Sequence, residues 1–145
     1  MTASLTSYIP TPDAPMYSAA KHGILGLMGA MKRNLAKLNI AISVVAPGIT
    51  KTPLLRGALG LDSIEEWVRA MKRLGVAINT PDTVSLAAAY LINAGMKASG
   101  VALLIQENQI VEVESGIART RNLRMGVEML QLFKRGREAP LSSRI

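Results

Sequence analysis

Three observations on this 145-residue sequence predict an α/β fold. Residues 17–38 carry Ile24, Leu27, Met28, Met31, Leu35 and Leu38 at the i, i+3, i+4 spacing of an amphipathic helix, with Lys32, Arg33 and Lys37 elsewhere on its surface. Residues 40–45, Ile-Ala-Ile-Ser-Val-Val, are a short β-branched run stopped by Pro47-Gly48, the pattern of a buried strand that ends in a loop. Residues 101–105 open after Gly100 as a continuous apolar run, as in strands covered on both faces. Helix, strand and loop in alternation is the rhythm of a parallel sheet with helices packed on it.

The remaining elements follow in order. Residues 2–15 are rich in Thr, Ser and Pro without helical period and read as a loop leaving a very short strand end. Residues 63–74 set Glu65 and Glu66 early and Lys72 and Arg73 late, which suits the helix dipole, with Gly75 as the stop. Thr80 as N-cap, Pro81 in the first turn and Asp82 beside it start a helix that runs through Val84, Leu86, Ala87 and Tyr90 to Asn93. Residues 110–113 read as a short strand. Leu123, Val127 and Leu130, opposed by Arg121, Arg124, Glu128 and Arg135, predict a final amphipathic helix. The division expected is an α/β part over 1–117 and an amphipathic helix with a basic tail over 118–145.

Composition narrows the function classes. The 49% hydrophobic and 19% charged content excludes long-range disorder. A chain of this size normally buries roughly 70% of its unfolded surface, so one hydrophobic core needs no staple. The absence of cysteine excludes disulfides, thiol catalysis and cysteine-bound zinc, and one histidine, His22, leaves little for an imidazole site, so no metal is expected. No uncharged apolar run approaches the ~20 residues of a membrane span, and the first residues lack a basic start and long apolar stretch. The expectation is a cytoplasmic protein without membrane attachment. The net charge of +7 raises nucleic acid as a partner, through clusters at Arg69, Lys72 and Arg73, at Arg119, Arg121 and Arg124, and at Lys134, Arg135 and Arg137. With 3% aromatic residues there is little to stack on bases, and the clusters read as solvated helix faces, so no nucleic-acid partner is expected.

The chemistry concentrates in Tyr17-Ser18-Ala19-Ala20-Lys21, because residues four apart on a helix share a face and set a phenol beside an ammonium. A free phenol titrates near 10, so proton transfer near neutrality calls for about 3 to 4 kcal/mol of help. A cation ~5 Å away at an effective dielectric of ~20 gives about 3 kcal/mol. Tyr17 with Lys21 therefore has the makings of an acid–base pair. The other reading of Tyr17 is an ordinary aromatic at a helix start. Ser4 stands 13 residues before Tyr17 on the preceding strand end, and Pro47-Gly48-Ile49-Thr50-Lys51-Thr52 follows the next strand.

Together these elements resemble the C-terminal half of the short-chain dehydrogenase/reductase family, over residues 4–117, with Ser4, Tyr17, Lys21, Pro47, Gly48 and Thr52 matching its motifs. The resemblance implies the C-terminal part of a doubly wound parallel-sheet Rossmann-type domain, and hydride transfer between NAD or NADP and an alcohol or carbonyl. It implies that Tyr17 exchanges the proton with the substrate oxygen and that Ser4 orients that oxygen. Lys21 would ease formation of the phenolate and bind the nicotinamide ribose. The backbone around Ile49, in the loop begun by Pro47 and Gly48, would hold the carboxamide, with Thr52 close to it or to the pyrophosphate. Residues 53–74 would form the substrate lid, where Leu54, Leu55, Leu59, Leu61, Ile64 and Trp67 suit an apolar small molecule. The other reading of those side chains is ordinary core.

The sequence departs from the family in one large respect. A Gly-rich turn between strand and helix, which cradles the pyrophosphate, and the residue that chooses between NAD and NADP are not found in it. Gly23, Gly26 and Gly29 lie within the Tyr17 helix and suit close helix packing rather than phosphate binding. Strands that read as buried on both faces have few neighbours to cover them, so the chain alone is expected to be oligomeric, aggregation-prone or marginally stable, and to bind NAD or NADP weakly. A homo-oligomer formed through the Tyr17 helix is expected. The alternative to an active enzyme is a truncated, inactive remnant that associates with a homologue.

Overall fold

The computed structural model describes residues 1–60 and 62–138. Leu61 and the side chain of Leu59, both read as lid residues, and the side chain of Arg137 lie outside the described residues. Two compact units are present, Met1–Val113 and Glu114–Ile145.

In the first unit a 3-10 turn at Leu5–Ser7 precedes helix α1 (Pro15–Lys37), strand β1 (Val44–Pro47), helices α2 (Pro53–Leu59), α3 (Ile64–Arg73) and α4 (Pro81–Ala94), a 3-10 turn at Gly95–Ala98, and strands β2 (Ala102–Gln106) and β3 (Gln109–Glu112). The α1 helix starts two residues before the phenol, at Pro15, whose fixed φ and missing N–H suit a first turn. In α3, Ser63 caps by accepting from the Glu66 N–H at 3.3 Å.

The strands form a sheet in the order β1-β2-β3. β1 pairs with β2 in parallel, Val44 opposite Ala102 through Pro47 opposite Ile105, and β2 pairs with β3 antiparallel. On the other flank of β1 the first residues add a parallel bridge between Thr2 and Val45, with the Ala3 N–H donating to the Val45 carbonyl at 2.8 Å. The strand expected at 40–45 is shifted toward the C-terminus. Asn39, at φ 56°, turns the chain out of α1, and the ladder begins at Val44, where β2 supplies a partner. The strand expected at 101–105 likewise begins one residue later, and the hairpin strand one residue earlier than its reading at 110–113.

Alternation along the strands builds two cores. Val44, Ala46 and Ala102 face α1, packing with Ala3, Met28 and Ile42 and against Ile24, Leu25 and Leu35. Val45, Leu103 and Ile105 face the other way, against Ala87 and Leu91 of α4 and Ala98. Helices on both faces of parallel strands are the doubly wound arrangement, which explains why these strands read as continuous apolar runs.

In the second unit α5 (Glu114–Arg119) comes first, and the single helix expected around Leu123–Leu130 is two, α6 (Arg121–Met125) and α7 (Val127–Glu138). Gly126, at φ 75°, ends α6 with its N–H donating to the Asn122 carbonyl at 3.0 Å.

Candidate active site

Parallel strands put their carboxyl ends on one edge of a sheet, where α/β folds carry ligands. Here that edge is formed by Ser4, which follows the strand-like first residues, by the loop after Pro47 and by the end of β2 at Gln106. Sequence reasoning placed Ser4 and the Pro47–Thr52 loop on strand ends, and the structure brings those ends together.

Around Ser4 the chain closes a tight network. Ser4 caps the Leu5–Ser7 turn, its Oγ accepting from the Thr6 N–H at 3.2 Å. The Ser4 N–H donates to Ser7 Oγ at 3.2 Å, and the Ser7 hydroxyl donates to the Lys21 carbonyl at 2.7 Å. One buried hydroxyl thus joins the Ser4 turn to the helix that carries the phenol and the ammonium. Below it, the Thr11 N–H donates to Ser18 Oγ at 3.2 Å, fixing the loop that leads into α1. Lys21 Nζ lies 5.6 Å from the centroid of the Tyr17 ring, within range of cation–π attraction, and donates to the Thr2 carbonyl at 3.0 Å. An ammonium has three N–H donors, so two remain for a ligand. Tyr17 is 49% exposed, whereas Ser4 is 8% exposed behind the turn it caps.

The loop after β1 is held to the neighbouring strand. The Gly48 N–H donates to the Ile105 carbonyl at 2.8 Å. A Cβ on Gly48 would run into Gln106 Oε1, so glycine here serves a close approach of loop to strand. Gln106 Oε1 is buried and, among the described residues, without a hydrogen-bond partner. Thr50 Oγ1 donates to the Gly48 carbonyl at 3.0 Å. Ile49 points to solvent, and Thr52 is the N-cap of α2 without using its side chain to cap. Lys51 Nζ pairs with Glu65 at 3.0 Å, linking the loop to α3, and this bond from the ammonium, with a backbone hydrogen bond next, holds the Glu65 carboxyl below its usual range.

Three residues at this edge escaped the sequence reading. Ser7 is one more serine in a Thr/Ser-rich loop. Asn79 is fully buried, and the signal that marks it is a polar residue closing the apolar stretch Val76-Ala77-Ile78. Asn108 sits in the two-residue turn between β2 and β3, where Glu107 and Asn108 both take positive φ, 51° and 60°, as a type I′ hairpin requires. The glycines at 23, 26 and 29 meet nothing within 4 Å of a built Cβ, so the close packing expected of them is not made among the described residues.

As a ligand site this edge offers the two free donors of Lys21, a half-exposed phenol, the Ile49 backbone and the Thr52 hydroxyl. That set fits the nicotinamide ribose and carboxamide of a dinucleotide. It includes no Gly-rich turn for a pyrophosphate, and the buried Gln106 oxygen lies beneath Gly48 as the floor of the loop.

Comparison with known proteins points the same way. A family model described as short chain dehydrogenase matches residues 1–59. A short-chain dehydrogenase/reductase of Stachybotrys chlorohalonatus, ATR7, is 30% identical over 92% of this chain and 45% of its own length. The 3-oxoacyl-[acyl-carrier-protein] reductase FabG of Chlamydia muridarum is 28% identical over 80% of this chain and 43% of its own. Rat 15-hydroxyprostaglandin dehydrogenase [NAD(+)] is 32% identical over 46% of this chain and 26% of its own. The chain thus spans less than half the length of these relatives. A solved structure of 4-hydroxyisoleucine dehydrogenase complexed with NADH superimposes with a TM-score of 0.57 at 23% identity, over 72% of this chain and 43% of that one, a likeness of fold.

Proposed function

The chain belongs to the short-chain dehydrogenase/reductase family, and from that premise we propose that it serves NAD- or NADP-dependent interconversion of a secondary alcohol and a ketone on an apolar small molecule. The observation that carries this reading is the link from the Ser4 N–H through the Ser7 hydroxyl to the Lys21 carbonyl, with the Lys21 ammonium 5.6 Å from the centre of the Tyr17 ring. When bound, the nicotinamide cofactor supplies or accepts the hydride. Tyr17 gives a proton to the substrate oxygen in reduction and takes it back in oxidation. Because the Thr6 N–H occupies a lone pair of Ser4 Oγ, the Ser4 hydroxyl proton is left to donate to the same oxygen and orient it. Lys21, fixed at both its carbonyl and its ammonium, sets its positive charge beside the Tyr17 ring, and its two remaining donors would hold the nicotinamide ribose. Ile49 with Gly48 and Thr52 would hold the carboxamide side.

An apolar substrate is supported by α2 and α3, where Leu54 is exposed and Ile64 and Trp67 are half-buried. The proposal keeps a cytoplasmic setting without nucleic-acid or membrane partner, and no helix among the described residues is long and apolar enough to cross a membrane. The test is reduction of a panel of long-chain methyl ketones by the full chain with NADH and with NADPH, beside Tyr17→Phe. Turnover that falls at least about a thousandfold in Tyr17→Phe, while the fold is retained, supports the reading. Retained turnover removes Tyr17 from the chemistry.

A second reading, association of α1 with another copy or with a homologue, is favoured by Leu27 and Met31, which stay exposed on that helix. Leu35 packs against the core, so a charge there reports on folding, whereas Met31→Glu tests association. Sedimentation of the wild type as an oligomer and of Met31→Glu as a monomer is the expected result, and identical sedimentation overturns it.

A further inference from the structure

We propose that Asn79 is a positioning residue that holds the 48–51 loop in the backbone form that receives the nicotinamide carboxamide; this rests on the reading of that loop given above. Asn79 is 0% exposed and touches the loop at both ends of its curve. Its N–H donates to the Ile49 carbonyl at 2.8 Å and its carbonyl accepts from the Lys51 N–H at 2.9 Å, so residue 50 is bracketed by one residue of a neighbouring segment. The side chain ties that bracket to the sheet. Nδ2 donates to the Ile105 carbonyl at 3.0 Å, and Oδ1 accepts from the Asn108 N–H at 2.9 Å. The Ile105 carbonyl is the same oxygen that receives the Gly48 N–H, so both ends of the loop hang from a single atom at the end of β2.

The orientation of the amide follows from its partners, because a carbonyl only accepts and an N–H only donates. Donor and acceptor are therefore both required. Aspartate matches the shape and lacks the donor; leucine matches the volume and lacks both. Asn108 extends the arrangement: its Oδ1 accepts from the Thr80 N–H at 2.7 Å and from the Thr83 hydroxyl at 3.1 Å, fixing the start of α4 to the same turn. The loop, the hairpin and the first turn of α4 thus share one polar junction in which Asn108 and Thr80 are exposed, and the buried Asn79 amide, paired through both its oxygen and its nitrogen, is the part that specifies one geometry.

The test uses the full chain, with protection factors of the Gly48 and Lys51 amides read by hydrogen exchange and binding of reduced nicotinamide mononucleotide read by titration. In Asn79→Asp at neutral pH a carboxylate oxygen faces the Ile105 carbonyl, and both protection factors are expected to fall at least about tenfold with matching loss of binding. Burial pushes a carboxyl up, so near about pH 5 the acid form again donates and protection returns. The wild type at both pH values controls for the charged groups of the same elements, Lys51, Glu65, Glu107 and Asp82, and Asn79→Leu, expected to show no recovery in acid, controls for volume. Unchanged protection in Asn79→Asp at neutral pH, or no recovery in acid, overturns the clamp. Amides that respond in a chain whose wild type binds no reduced mononucleotide overturn the cofactor reading instead, so the two failures are distinguishable.

Discussion

Lys21 Nζ donates to the carbonyl oxygen of Thr2 at 3.0 Å, which ties the ammonium of the proposed acid–base pair to the segment bridged to β1. The position of that charge beside Tyr17 is therefore set by the sheet as well as by helix spacing. Lys21→Met keeps most of the stem and removes the charge and its donors. Loss of one exposed hydrogen bond costs about 0.5 to 1.5 kcal/mol in urea denaturation, while affinity for reduced nicotinamide mononucleotide is expected to fall at least about tenfold. A variant that loses stability and keeps affinity would assign Lys21 to structure alone.

Ser7 joins the Ser4 turn to α1 with a single buried hydroxyl. Ser7→Ala leaves the Ser4 N–H and the Lys21 carbonyl without that partner, at an expected cost of about 1 to 3 kcal/mol in equilibrium unfolding. A change within a few tenths of a kcal/mol would mean that water replaces the hydroxyl.

Glu107 takes φ 51° with a full side chain in a turn that favours glycine or asparagine. Left-handed backbone costs an L-residue about 1 to 2 kcal/mol, part of which glycine returns as unfolded-state entropy. Glu107→Gly is expected to stabilise the chain by roughly 0.5 to 1 kcal/mol, seen as a higher melting temperature. A lower melting temperature would contradict the assigned turn.

The Lys51–Glu65 pair links the loop after Pro47 to α3. Its carboxyl is held below the usual range in the folded chain, so its contribution is present above the unfolded carboxylate pKa and is lost as pH falls through the lower, folded value. Because both side chains are solvated, the effect is small and screened by salt. Glu65→Gln is expected to speed proteolysis of the segment from Pro53 to Arg73 at neutral pH and low salt, and to lose that difference at high salt or in acid. Equal cleavage rates at low salt would mean that the pair does not hold this segment.

Sequence legibility followed the range of the interactions. Apolar periodicity marked α1, and Thr80-Pro81 marked the start of α4, because a helix is specified by neighbours three and four residues away. The Tyr17–Lys21 pair was visible for the same reason. The edges of β1 were not, since a strand ends where its partner ends, and that partner lies 58 residues on at Ala102. Ser7, Asn79 and Asn108 were not read as site residues because each acts through partners 14 to 30 residues away that only the fold brings near. Thr80 shows the difference within one residue: its place at the N-cap of α4 was legible, while its hydroxyl, which caps nothing and turns with its N–H to the Asn108 oxygen, was not.

The proposed site is the nicotinamide side of a dehydrogenase site, built from Tyr17, Lys21 and the loop after Pro47. Residue-resolved amide shifts during titration of the full chain with reduced nicotinamide mononucleotide, and separately with adenosine monophosphate, test it most directly. The expected result is saturable shifts at Tyr17, Lys21, Ile49 and Thr50 with the nicotinamide compound and none there with the adenine compound. Absence of shifts at those four residues, or equal shifts with both compounds, would contradict it.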